Sequence, residues 1–119
     1  MYRPLHRDFG CLYNLLDSIE KIQAYTNEFT NADDFLNSSI AFDASMMNFI
    51  VIGEMVEKLS DEFIQIYQIK TGWHKVKAFR NILAHNYFGI DAEEVWQIIQ
   101  HNLPLLKLEI EQILELQKP

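Results

Sequence analysis

Eight consecutive residues, RNILAHNY from Arg80 to Tyr87, place a guanidinium, a carboxamide, an imidazole and a phenol close together in the chain. Arginine offers five donors in a planar fork and keeps its charge at any working pH, so Arg80 suits a phosphate or the added negative charge of a phosphorane-like transition state. Histidine titrates near neutrality, so His85 can carry a proton to or from a ribose hydroxyl or a leaving oxygen. Together they could cleave RNA without a metal or a cofactor: the neighbouring 2′-hydroxyl attacks its own phosphodiester and a cyclic phosphate remains on one product. A plainer assignment competes for each residue, with Arg80 as a salt-bridge partner of one of the many acids, His85 as a satisfied polar group, and Tyr87 and Phe88 as core aromatics.

Helix geometry restricts the catalytic reading. Five residues at about 100° each leave Arg80 and His85 about 140° apart on a regular helix, so they form no tight pair unless the helix ends near His85. Gly89 supplies a place for such an ending. A second copy related by a two-fold axis is the other solution, because that symmetry sets the same residues face to face.

The charge pattern singles out the same segment. The chain has ten Lys and Arg against seventeen Asp and Glu, a net −7, which argues against a surface-wide nucleic-acid binder. Yet from Phe63 to Ile90 there is no acid, while Lys70, Lys75, Lys77 and Arg80 make the window +4 and leave −11 elsewhere. Lys75 and Lys77 could guide an RNA backbone into a cleft, or simply be solvated lysines. Glu54 and Asp43, eleven residues apart and on the same side of one helix, are two candidates for orienting Arg80.

The elements that must position these groups read as helices. Phe9, Leu12, Leu16, Ile19 and Ile22 make one stripe of a first helix, roughly Leu5 to Tyr25, followed by a loop near residues 26–34 in which Asn31, Asp33 or Asp34 caps a short helical piece. A second helix runs from Ser38 or Ser39 to about Leu59, with Ile40, Ala44, Met47, Val51, Met55 and Leu59 on one face and Ile50 and Ile52 widening it, which predicts burial on more than one side. Ser60 caps a third that Thr71 and Gly72 end. A fourth covers Trp73 to Ala84, the FGID segment turns, and Asp91 with Glu94 resembles a capping box. Asn102 and Pro104 mark a kink or a new start before a terminal helix bearing Leu105, Leu108, Ile110, Ile113, Leu114 and Leu116.

The predicted architecture is therefore all-α, an up-and-down bundle of four main helices plus short ones, with residues 1–119 as one domain. Cys11 can make no internal disulfide and reads as a small buried hydrophobe, the four histidines lack zinc-site spacing, and Trp73 and Trp96 read as packing anchors. MYRPLHRDFG has no apolar core of signal-peptide length and no apolar run approaches the roughly 18 residues that cross a bilayer. A soluble protein of the reducing cytoplasm is expected.

RNILAHNY resembles the Arg, four residues, His, one residue, Tyr pattern of HepT-like toxins in the HEPN superfamily. IVIGEMVEKLS at Ile50 to Ser60 is similar to that family's IGE-containing helix, GWHKVKAFRN to its Trp-centred entry, and FGIDAEEVWQIIQHNLPLLKLEI to the stretch that follows; Gly72 stands where relatives often have proline. The resemblance implies a HEPN-like helical bundle that forms a homodimer and acts as a metal-independent ribonuclease toxin. It assigns Arg80 and His85 to catalysis and Asn81 to a supporting role, with no metal and no cofactor. It also implies an MntA-like nucleotidyltransferase antitoxin as partner, which transfers AMP from ATP onto Tyr87. An adenylyl group there would fill the cationic pocket that RNA phosphate needs. From a different class, the alternative is a catalytically idle HEPN module that binds a nucleotidyltransferase or a nucleotide.

Overall fold

A computed structural model describes residues 5–117; the first four residues of MYRPLHRDFG lie outside the described residues. The regular elements are α1 (His6–Thr26), α2 (Ala32–Asn37), α3 (Ser39–Glu57), α4 (Asp61–Ile66), α5 (Trp73–His85), a 3₁₀ turn (Tyr87–Gly89), α6 (Ala92–Gln97), a π turn (Ile98–Asn102) and α7 (Leu103–Leu116). Among the described residues all are helical, as predicted, and α1, α3, α5 and the continuous α6–π–α7 run are the four main units.

Helix α1 buries Leu12, Leu15, Ile19 and Ile22 completely and makes its most extensive contact with α3. Helix α3 in turn packs on α5, and α1 also on α7. The face by which α3 enters this core is largely not the predicted one, although Ile52 and Leu59 of the predicted set are buried. Ala41, Phe42, Ser45, Met46, Phe49, Ile52 and Val56 are buried, whereas Ile40 is 84% and Met47 60% exposed. The helix is apolar nearly all round, so periodicity alone cannot choose its inner side. By length and composition α3 is also apolar enough to cross a membrane, which corrects the expectation that no run approaches that length. Here its Phe42, Phe49 and Ile52 belong to the common core of the bundle, the placement of a core helix.

Helix α4 begins where predicted, with the Ser60 hydroxyl accepting the Phe63 N–H at 3.1 Å, but ends at Ile66 rather than near Thr71. The irregular stretch that follows is tied down from outside. Glu109 on α7 accepts from the N–H groups of Lys70 (2.5 Å) and Thr71 (3.1 Å) and from the Thr71 hydroxyl (2.6 Å), while the Trp73 indole donates to the Tyr67 carbonyl at 2.7 Å. Gly72, at φ +85°, makes the left-handed entry into α5. The buried Asp8 carboxylate accepts from both the N–H (2.7 Å) and the hydroxyl (2.8 Å) of Ser60, joining α1 to the start of α4.

At the other junctions local chemistry acts much as predicted. Asn31 caps α2 by accepting the Asp34 N–H at 2.8 Å. Asp91 caps α6 through the Glu93 N–H at 2.9 Å, so the predicted box with Glu94 becomes a single-residue cap. Near Pro104 the predicted new start is seen: a π turn (Ile98–Asn102) leads into α7 from Leu103, with the proline in its first turn. Helix α7 buries Leu103, Leu106, Ile110, Ile113 and Leu114, but Leu105, Leu108 and Leu116 of the predicted stripe are exposed.

Candidate active site

The site is built where α5 lies along α3. At Gly53 the two backbones approach so closely that a Cβ would come within 2.1 Å of Arg80 Cβ and 2.3 Å of its Cγ. Glycine is required there, and the next residue uses the proximity: Glu54 Oε1 accepts from Arg80 Nη2. Arg80 Nη1 donates to Asn81 Oδ1 at 3.1 Å, and the buried Nε has no hydrogen-bond partner among the described residues. The guanidinium is thereby held on two sides while a third of the side chain stays open to solvent.

Three cross-helix pairs follow one another along this seam. Lys77 meets Glu57 at 3.2 Å, Arg80 meets Glu54, and beyond the end of α5 the Tyr87 hydroxyl donates to Asp43 Oδ1 at 2.5 Å. As numbers rise on one side they fall on the other, so α3 and this part of the chain run antiparallel. The register also separates the two candidates for orienting Arg80: Glu54 holds it, and Asp43 serves Tyr87 instead.

Helix α5 ends at His85, one residue beyond the predicted Ala84. His85 is exposed and makes no hydrogen bond or ion pair among the described residues. Because the helix continues through both residues, Arg80 and His85 point about 140° apart, and one chain does not bring them together. Tyr87 sits in the 3₁₀ turn with its ring edge-on to Phe42 (centroids 6.3 Å apart) and Phe88 (5.5 Å). Burial, with the hydrogen bond and charge of Asp43 adding to it, pushes the phenol up to about 12, so at neutral pH it keeps its proton.

The acid-free window is thus only partly cationic in space, since α3 offsets Lys77 and Arg80. Lys75 makes no ion pair among the described residues and lies at the rim of a cavity of about 220 Å³ floored by Phe49, Ile52, Val76, Phe79 and Leu106. Trp73 and Trp96 are buried anchors, and burial raises the Cys11 thiol above its ordinary value. No group of three His, Cys, Asp or Glu side chains among the described residues could hold a metal ion.

Sequence reasoning missed two features. One is Gly53 as the seat of Arg80, for which the IGE triplet was the available signal. The other is an exposed apolar border: Ile40 and Met47, with the half-buried Val51, share the face of α3 that carries Asp43 and Glu54, by their spacing of three and four, and the exposed Ile82 on α5 and the fully exposed Phe88 lie on the facing chain.

Comparison with known proteins gives the chain a family. The chain is 36% identical, over 87% of its length, to a Methanocaldococcus jannaschii protein named "Gamma-glutamylcyclotransferase and putative RNase", and spans only 46% of that longer relative. A second protein of that organism, named "Putative RNase", is 35% identical over 87% of this chain and 84% of its own. A "Probable ribonuclease HepT" of Thermococcus cleftensis is 27% identical over 91% and 94%. No solved structure matches the chain. The family model described as ribonuclease HepT-like matches residues 15–113, nearly the whole bundle and all of the RNILAHNY segment, and the chain therefore belongs to the HepT-like ribonucleases of the HEPN superfamily.

Proposed function

We propose that this protein is a metal-independent endoribonuclease acting as a homodimer in the cytoplasm, with residues 1–119 as one catalytic domain and the active cleft composed from two RNILAHNY segments. The observation that carries this reading is the state of the two polar groups: Arg80 is fixed on Glu54 with part of its guanidinium open, and His85 ends its helix exposed and unpaired. Within one chain they diverge. A two-fold partner docked on the apolar border beside them would supply a second His85 opposite.

In such a cleft the 2′-hydroxyl attacks the adjoining phosphorus, the bond to the 5′-oxygen breaks, and a 2′,3′-cyclic phosphate forms. One imidazole takes the hydroxyl proton, the other delivers a proton to the leaving oxygen, and Arg80 stabilises charge on the phosphorane-like oxygens. Asn81 supports the reaction by bonding the guanidinium. The biological role that goes with this chemistry is that of a toxin whose MntA-like nucleotidyltransferase antitoxin adenylylates Tyr87. That modification replaces a neutral phenol with a charged phosphodiester and a base on the seam that also carries Arg80, at the Asp43 end.

The test is RNA cleavage in the presence of chelator. Arg80→Ala and His85→Ala should each lower the rate by at least about 100-fold, and a substrate with deoxyribose at the scissile position should resist. Equal activity of wild type and both variants would leave the idle binding module as the reading. Incubation with the nucleotidyltransferase and ATP should raise the intact mass by AMP units in wild type and not in Tyr87→Phe.

A further inference from the structure

We propose that Asp43 is the base that receives the Tyr87 proton when that phenol is adenylylated, and that it holds the phenol oxygen in position beforehand. This rests on the adenylylation reading above. Its own ground is the arrangement of acids along α3. Glu57 is matched to Lys77 and Glu54 to Arg80, whereas Asp43 meets no cation among the described residues; its side chain instead accepts from the Tyr87 hydroxyl at 2.5 Å. Its negative charge, with no cation beside it among the described residues, is directed at the one oxygen that must become a nucleophile.

The surroundings fix that oxygen. The ring lies edge-on to Phe42 and to the neighbouring Phe88, and the 3₁₀ turn that carries it closes over Gly89, where a Cβ would come within 2.5 Å of the Asn86 side chain. Asp43 and Phe88 are both exposed, so a bulky nucleotide donor can reach the hydroxyl from solvent. A neutral phenol is a weak nucleophile, and this one gives up its proton less readily than an ordinary tyrosine, so unaided ionisation supplies little phenolate. The existing hydrogen bond instead offers an acceptor for the proton at the moment the oxygen bonds to phosphorus and becomes strongly acidic. As the Tyr87 oxygen bonds to the α-phosphorus of ATP, the α–β phosphoanhydride bond breaks, pyrophosphate leaves, and the proton moves to the Asp43 carboxylate.

The experiment measures single-turnover incorporation of AMP from ATP labelled in the α-phosphate, with an MntA-like nucleotidyltransferase in excess over the full-length protein. Asp43→Asn keeps an acceptor oxygen but loses the basic charge. It should slow transfer by about 100-fold with thermal melting unchanged, and the transferase concentration for half-maximal rate should stay within twofold. A fluorinated tyrosine at position 87, which ionises at lower pH, should restore most of the rate in the Asp43→Asn background; a purely structural role for Asp43 would not be rescued this way. Modification of wild type and Asp43→Asn at the same rate, or no rescue by the fluorinated residue, overturns the role of Asp43 and leaves adenylylation standing. A wild-type protein that takes up no AMP overturns both.

Discussion

At the scale of single residues, the site depends on which acid meets which partner. Glu54 and Asp43 are eleven positions apart, and about 1100° of helical rotation brings them to within about 20° of each other on α3, so their spacing does not distinguish them. The register of α5 does. Glu54→Gln should leave the fold intact but free the guanidinium to move, lowering RNA cleavage roughly 10- to 100-fold, because small displacements of a charge-stabilising group are costly in a transition state; activity equal to wild type in a cleavage assay would show that Arg80 needs no such support. The Tyr87 phenol makes a second prediction. Its folded value of about 12 lies above the ordinary 10, so the neutral form is favoured by folding and its stabilising contribution is fully present below pH 10 and lost as pH rises through 12. Alkaline titration of tyrosine absorbance, wild type minus Tyr87→Phe, should show a midpoint near 12 that falls in Asp43→Asn.

Elements supply the precision. Helix α3 contributes Asp43, Gly53, Glu54 and Glu57 to one seam, and the seam works only because Gly53 lets Arg80 lie against it. Gly53→Ala should destabilise the protein by about 1–3 kcal/mol as the helices are forced apart, visible as a lower denaturant midpoint, and should also lower cleavage. Arg80→Ala should not relieve that strain, since the shortest contact is to Arg80 Cβ, which alanine keeps; recovery of stability in the double variant would show that the side chain rather than the backbone approach is limiting. The caps at Asn31, Ser60 and Asp91 were readable because each acts over three residues or fewer. The early end of α4 was not, because Glu109, some forty positions away, satisfies the backbone that a longer helix would have used.

At the scale of the whole molecule, the chain is elongated, 50 × 28 × 22 Å, and leaves apolar residues beside its candidate site exposed. Burial of a side chain such as Met47 or Ile40 contributes about 1.5–3 kcal/mol, so a face carrying both is suited to a second copy. Met47→Asp should keep the helical circular dichroism, give a monomer in sedimentation velocity, and abolish RNA cleavage together with dimerisation. A monomeric variant with full activity would remove the need for a composite cleft.

What the amino-acid order determined by itself was chemical and local: the Arg80, His85 and Tyr87 groups, the all-helical class, the caps and the end of α5 near His85. These depend on residue type and on neighbours within a turn or two, where steric and hydrogen-bond preferences act without the rest of the chain. Only the tertiary structure decided which side of α3 faces inward and which of its acids meets Arg80. Apolar residues surround that helix, so its orientation follows from competition among whole surfaces for burial against α1 and α5, and a rotation of half a turn would have exchanged the core with the apolar border and carried Asp43 and Glu54 away from their partners.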